Sequence, residues 1–344
     1  MSETLKIVIP TAGLGTRMYP QTWSKPKPLV SVAGQTALDH LLAAFKSVPA
    51  GMEVEYVFIV GPGLGETHLP PFMQEHYSAY KVHYALQMEM KGQSDAFWSA
   101  REHLTGPIIT CFSDTLIETD FSALKREEAG GVAWVKSVPD PRRFGVAEVD
   151  DKGWVTRLIE KPDSMENNLA VVGCYYFREG RDLVSAIREQ VKRGASLKGE
   201  YFLAEAINIL LERGLKMRTQ NVDVWLDTGT IESTLETNRY LLEHGRANKT
   251  RSEKQNGLEI VPPVFIHESA EVRDSIIGPH VSIGPGCKIS GARIADSILE
   301  AEVTLAGAVL EGSFIGRQAR VEGRSASFPS MTLNVGDDSS IILG

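Results

Sequence analysis

The chain has 344 residues, 42 % of them apolar and 23 % charged, with a formal net charge of −8. That length is comfortable for two domains and the composition supports a sizeable core. The acidic balance argues against a nucleic-acid partner, which calls for a basic excess or stripe, but a few local Arg and Lys residues suffice for anionic small substrates. No apolar run approaches the ~20 residues of a membrane span, so no membrane partner is expected. Cys111, Cys174 and Cys287 form no CxxC pair or zinc spacing, and each sits in an apolar run. Buried free thiols and a reducing, cytoplasmic compartment are expected. The first residues lack a basic n-region and an apolar h-region, so no secretory leader is expected.

In chain order, Leu5–Pro10 reads as a buried strand, 37–46 as a helix, and 56–61 and 81–87 as strands. Residues 95–104 read as a helix, 107–112 as a strand ending at Ser113-Asp114, 121–129 as a helix and 131–138 as a strand. This alternation implies an α/β class with a Rossmann-like, mainly parallel sheet covered on both faces. Between 144 and 177 the rhythm changes to strands at 145–149, 155–159 and 171–177, an expected antiparallel insertion beside the parallel core. Helices follow at 182–193 and 202–213, then a strand near 224–226 runs into Asp227-Thr228-Gly229-Thr230 and a helix to about 243.

Residues 1–245 therefore read as one domain and 246–260, polar and aperiodic, as a linker. From 261 to 344 the pattern is different. Ile266, Val272, Ile277, Ile283 and Ile289 recur at a spacing of six with one step of five, and Leu299, Leu305, Ile315 and Val321 resume it. Such hexads predict a short left-handed parallel β-helix, a β-sandwich being the alternative. The tail 325–344 breaks the period and is expected to cap the last coil or meet another subunit, since an open coil end is an exposed sheet edge.

The chemistry starts at Ile7-Val8-Ile9-Pro10-Thr11-Ala12-Gly13-Leu14-Gly15-Thr16-Arg17. Gly13 and Gly15 let backbone N–H groups approach a phosphate, and Arg17 supplies a positive fork for its oxygens. On these residues alone a turn with a surface Arg remains open. The third Gly of a dinucleotide fingerprint is replaced by Met18, and no Walker A Lys-Ser/Thr is present. Pro20, Pro26 and Pro28 then stiffen a loop that holds Lys25 and Lys27. A stiff loop holds a lysine against a triphosphate at small ordering cost. A solvated lysine is the alternative for either, and Lys25 in particular reads that way.

Together, Pro-x-Ala-Gly-Leu-Gly-Thr-Arg-Met and Pro26-Lys27-Pro28-Leu29 resemble the start of bacterial sugar-1-phosphate nucleotidyltransferases, the glucose-1-phosphate thymidylyltransferase and uridylyltransferase family. The resemblance covers about residues 5–245, and long members carry a hexapeptide-repeat tail. It implies a catalytic domain with Arg17 and Lys27 in catalysis, and nucleotide binding by Ala12, Gly13, Gly15, Thr16 and Arg17. It also implies base reading by Gln87 and Gly92 in Leu86-Gln87-Met88-Glu89-Met90-Lys91-Gly92. A neutral amide suits a pyrimidine imide. Asp114, after its strand, and Asp227, which could equally be the N-cap of the helix that follows, are implied ligands of Mg²⁺. Gly145, Glu160, Lys161 and Val172 are implied to bind the sugar phosphate, with the looser segment Gly199-Glu200-Tyr201 beside them.

The implied partners are a nucleoside triphosphate, dTTP or UTP, and a sugar 1-phosphate, glucose 1-phosphate first. A homo-oligomer, assembled through the β-helix, is expected. Ala12 leans toward uridylyltransferases. The Trp225-Leu226-Asp227-Thr228-Gly229-Thr230 segment and the tail lean toward thymidylyltransferases and their mannose-1-phosphate guanylyltransferase cousins. Two rivals stay open: a non-catalytic nucleotide sensor on the same fold, and a bifunctional enzyme using His267 or His280 of the β-helix for acyl transfer.

Overall fold

The computed structural model describes residues 4–255, 257–323 and 329–343. They form two compact units that interleave along the chain: Met1–Gly13 with Leu41–Trp225, and Leu14–His40 with Leu226–Gly344. The division in space thus assigns residues 14–40 and 226–245 to the same unit as the hexad repeats.

The first unit is built on a nine-stranded mixed sheet. Its parallel part runs Ile108–Cys111, Leu5–Pro10, Val54–Val60, Lys81–Leu86, with Leu5 opposite Val54 and Lys6 opposite Ile108. Ile7, Val8 and Ile9 are fully buried, as a strand covered on both faces requires. The sheet continues antiparallel through Leu169–Phe177, Gly145–Val149 and Val155–Glu160. The expected insertion is therefore part of the same sheet. Leu169–Phe177 also pairs with Gly131–Ser137, with a register shift between Val171 and Tyr175 where Gly173 takes φ +80°. At that irregularity the Gly173 carbonyl accepts from Phe112 N–H, at the end of the central strand. Helices Gln93–Ser99, Gly180–Arg193 and Leu203–Glu212 supply Phe97, Leu183, Ile187, Leu203 and Ile207 to the core.

Two elements carried no expectation from sequence, and a third differs from the one stated. Leu64–His76 is a helix although Pro70 and Pro71 lie inside it, where lost N–H donors and ring clashes argue against helix. Buried Leu69 and Met73 outweigh that cost. Met217–Asn221 is a strand, parallel to Gly131–Ser137, in a stretch with too little apolar alternation to stand out. The segment expected as a helix at 121–129 is a 3₁₀ turn, Phe121–Arg126, opened by Asp120 accepting from Ser122 N–H.

In the second unit, three parallel ladders stack into the β-helix. Val264 pairs with Val281 and Ile298 with Phe314, so the coils are 17 and then 16 residues long and the hexad must drop a residue at intervals. Ile277, Ile283, Ile289, Ile294, Leu299, Leu305, Leu310, Ile315 and Val321 fill the interior, none more than 2 % exposed. Positive φ recurs at the corners, at Asp274, Asp296, Glu302, Gln318 and Asp338. The stretch read as a linker holds two strands, Glu253–Gln255 and Leu258–Ile260, and the latter starts one ladder by pairing with Ile276–Ile277. Residues 325–328 and 344 of the tail lie outside the described residues. The rest of the tail extends the stack, since Asn334–Val335 pairs with Phe314–Ile315 and Ser340–Ile342 with Arg320–Glu322. Against this wall lie residues of the 14–40 segment and the helix Ile231–Leu241. Met18, Val30, Ile298 and Phe314 form one buried cluster with Ile231 and Leu235.

Candidate active site

In the first unit, the candidate base-reading residues sit where Lys81–Leu86 ends. Gln87 is 4 % exposed; its main-chain N–H donates to Val60 O, and its amide nitrogen donates to Asp95 Oδ2 at 2.8 Å and Gly92 O at 3.3 Å. Both amide hydrogens are thus engaged within the chain. Gly92 has φ +108°, and a Cβ there would lie 2.6 Å from Tyr201 N and 2.7 Å from Tyr201 O. Only glycine permits that approach of two main chains. Ser94 N–H donates to Tyr201 O and Tyr201 N–H to Lys91 O, so the two segments form one construction. Ala12 is 6 % exposed, and its carbonyl lies 2.6 Å from where a Cβ of Gly61 would be, while Gly13 is exposed with open space around it.

The candidate sugar-side residues form a second feature of this unit. Ile159, Glu160, Lys161, Pro162, Asp163, Leu197, Lys198, Glu200 and Phe202 line a pocket of 540 Å³. Burial pushes the Glu160 carboxyl above the usual carboxylate range, against the opposing pull of Lys161. Lys161, at φ +48°, donates its N–H to Phe144 O and sets its ammonium 4.6 Å from the centre of the Phe202 ring. Its Nζ is 3.9 Å from Glu160 Oε1. A Cβ on Gly145 would lie 3.2 Å from Glu160 Oε2, so the glycine leaves the carboxylate clear on that side. Val172 is 1 % exposed, which puts it in the strand core rather than on the pocket wall. Asp114 follows Ile108–Cys111 and is half-buried, in a turn closed by Thr115 N–H to Phe112 O.

In the second unit, Gly15 (φ +65°) opens the 3₁₀ turn Thr16–Met18, and Thr22 Oγ1 donates to Gly15 O at 2.8 Å. Thr16 and Arg17 are exposed on this turn. Lys27 begins a second 3₁₀ turn, Lys27–Leu29, after extended Pro26. Asp227 is exposed; its Oδ1 accepts from Gly229 N–H at 2.8 Å. A Cβ on Gly229 would lie 2.6 Å from Asp227 Oδ1 and 3.3 Å from Arg17 Nη2, so the missing side chain leaves room for both groups. The helix N-cap is Thr230, with Ser233 in a capping box, so Asp227 is not the cap. Lys25 is not solvated: it is buried between Glu300 and Asp337.

Residues 6–244 match the family model described as nucleotidyl transferase, and 260–335 match the one described as GMPPB C-terminal domain. The chain belongs to the nucleotidyl transferase family. It is 31 % identical to the glucose-1-phosphate thymidylyltransferase of Streptomyces antibioticus, over 92 % of this chain and 93 % of that one. It is 28 % identical to the UTP–glucose-1-phosphate uridylyltransferase AglF of Haloferax volcanii, over 70 % of this chain and 97 % of that one. Its fold is similar to that of a crystal structure of a putative glucose-1-phosphate thymidylyltransferase from Bacillus anthracis in complex with a sucrose. That match has a TM-score of 0.58 and 22 % identity, covering 69 % of this chain and 95 % of that one, and bears on the fold alone.

Sequence reasoning about this nucleotidyltransferase missed Asp95, which anchors Gln87, and Lys198 and Phe202, which line the pocket with Glu160. The signal for Asp95 was its place three residues after Gly92, in the first turn of Gln93–Ser99. Phe202 carried none, because a phenylalanine at the start of an apolar helix reads as core. No helix among the described residues is long and apolar enough to cross a membrane.

Proposed function

We propose that the chain transfers a nucleotidyl group from dTTP or UTP to glucose 1-phosphate, releasing pyrophosphate. The observation that carries the sugar side is the 540 Å³ pocket with a half-buried carboxylate, Glu160, beside an ammonium, Lys161. A carboxylate accepts from vicinal hydroxyls, and an ammonium pairs with a phosphate, so the two together match a polyhydroxylated phosphate ester. The nucleophile is an oxygen of the sugar 1-phosphate. It attacks the α-phosphorus, the bond to the β-phosphate bridging oxygen breaks, and pyrophosphate leaves with that electron pair. The nucleophile is already anionic at neutral pH, so no base is needed. What the protein must supply is positive charge against two meeting anions, which is the role of Arg17 and Lys27. The loop Ala12, Gly13, Gly15 and Thr16 offers main-chain N–H groups to the triphosphate.

Asp114 and Asp227 are each proposed as a Mg²⁺ ligand. Their hard carboxylate oxygens fit that ion, which takes one or two carboxylates and completes its shell with water and substrate phosphate. When bound, the ion neutralises phosphate charge. The cysteines are free and buried, which supports a reducing cytoplasmic setting. Self-association through the β-helix is the proposed oligomeric arrangement, checked by light scattering.

The deciding experiment is a matrix of nucleoside triphosphates, dTTP and GTP included, against several sugar 1-phosphates, read as pyrophosphate release. Turnover with dTTP or UTP and glucose 1-phosphate is expected. Preference for GTP with mannose 1-phosphate would replace this reading by the guanylyltransferase one, and no release with any pair would leave the sensor reading.

A further inference from the structure

The second unit contains an ion cluster that the proposed reaction does not use. Lys25 Nζ pairs with Glu300, and with Asp337 Oδ1 and Oδ2 at 2.9 and 3.0 Å. The side chains of Lys25, Glu300 and Asp337 are 13 %, 6 % and 4 % exposed. Glu300 sits on a β-helix coil, and its Oε1 accepts from Ser31 N–H at 3.0 Å. Asp337 accepts from Ser24 Oγ and from Arg317 N–H. Burial alone would raise the Asp337 carboxyl, but Ser24 and Lys25 bring it below the usual range; at Glu300 burial prevails and the carboxyl is raised.

Contacts on both sides of Lys25 follow the same plan. Gln21 Nε2 donates to Val335 O at 2.8 Å, Asn334 Oδ1 at 2.9 Å and Phe314 O at 3.2 Å. Asn334 Nδ2 donates to Tyr19 O. Ala33 N–H donates to the buried Asn238 Oδ1, which also accepts from Ser282 Oγ of the β-helix. The segment 16–33 contains two short 3₁₀ turns and a two-residue strand, so its own hydrogen bonds do little to fix it. Arg17 and Lys27 lie at its start and middle.

We infer that the β-helix is a positioning scaffold for the Arg17–Lys27 segment, with Lys25 as the positioning residue clamped by Glu300 and Asp337. The inference rests on the proposed function for what that segment does, but the clamp is a property of the fold. Lys25 sits two residues from Lys27, on the opposite side of Pro26, whose fixed φ transmits its placement. A lysine that must meet a triphosphate loses rate steeply with misplacement. A tail serving only self-association needs no ion cluster buried under a catalytic loop.

The test uses the full chain with Glu300→Gln/Asp337→Asn, which keeps shape and removes the pairing charge, and Lys25→Met/Glu300→Gln/Asp337→Asn, which leaves no buried charge unpaired. Hydrogen exchange is read peptide by peptide. In both variants, amides of 14–33 are expected to exchange at least tenfold faster while those of the coils 264–322 keep their protection. Pyrophosphate release is expected to fall tenfold or more in kcat, with the KM for sugar 1-phosphate within twofold of wild type. Unchanged protection over 14–33, or equal loss across the coils, would overturn the clamp, as would kcat within twofold of wild type. If a variant fails to fold, Gln21→Leu, which removes a neutral contact to the same wall, carries the exchange test with the same two outcomes. If wild type itself releases no pyrophosphate with any pair, the proposed function has failed, and the exchange result still decides the clamp.

Discussion

Gly92 allows the most direct test of how the base-side segment is built. Its φ is +108°, and a Cβ would sit 2.6 Å from Tyr201 N and 2.7 Å from Tyr201 O, both main-chain atoms. Gly153 serves as a control in the same unit: its φ is +80°, and nothing lies within 4 Å of its Cβ position. Gly153→Ala should therefore cost only the left-handed backbone term, about 1–2 kcal/mol. Gly92→Ala adds an overpacking term of about 1–3 kcal/mol, because main chain has no alternative rotamer to retreat to. For a unit of this size each kcal/mol lowers the melting temperature by about 2–4 °C, so Gly92→Ala should melt roughly 5–15 °C below wild type and clearly below Gly153→Ala. Activity should separate the two further. Relief to ordinary contact moves Gly92 and Tyr201 apart by nearly 1 Å, and a shift of that order costs roughly 10²-fold in rate when it displaces a positioning group. Gly92 O is also an acceptor for Gln87. Melting curves and kcat/KM for the nucleoside triphosphate check both arms. Equal melting losses for the two variants, or full activity in Gly92→Ala, would show that the Gly92–Tyr201 approach is not a constraint.

Lys27→Ala and Asp114→Ala should each lower the rate by about 10²–10³, with the melting temperature near wild type; near-full activity in either would remove that residue from the mechanism. Chelation by EDTA should abolish pyrophosphate release and added Mg²⁺ restore it, and release that persists in EDTA would refute a metal role. Glu160 makes a paired prediction. Its folded carboxyl is raised by burial, so it favours stability below its unfolded range and that contribution is lost as pH rises through the folded value. At neutral pH Glu160→Gln should leave the melting temperature equal or higher while raising the KM for sugar 1-phosphate. In wild type that KM should improve as pH rises from the acid side and the carboxylate ionises. A lower melting temperature with unchanged KM would reverse the assignment.

The α/β grammar of the first unit was legible because strands buried on both faces must read as continuous apolar runs, as Ile7–Ile9 and Val57–Val60 do. The β-helix was legible through the hexad for the same reason: one inward side chain per side of the coil must be apolar. Leu64–His76 and Met217–Asn221 were not, because tertiary burial overrode two prolines in one case and a polar composition in the other. The two strands in the stretch read as a linker were not legible, because Glu253–Gln255 is stabilised by pairing with Leu258–Ile260, which polarity along the chain does not reveal.

Within the site, residue type located Glu160 and Lys161 in one pocket, since a carboxylate and an ammonium on adjacent positions beside a proline turn is a local fact. Lys25 and Lys27 mark where local reading stops. Both lie in the same proline-stiffened stretch, and nothing in the order of residues reveals that Lys25 is paired within the protein. That pairing is made by Glu300 and Asp337, hundreds of residues away, and by burial that a solvated reading of Lys25 did not anticipate. Three charges, two of them negative, would be costly to bury for stability alone, because an apolar cluster of the same volume holds a surface as well without desolvation. The neighbouring cluster of Met18, Val30, Ile298 and Phe314 already does that. What an ion cluster adds over apolar packing is direction: an ammonium held by two carboxylates has one place to sit, and the backbone two residues from Lys27 is fixed with it.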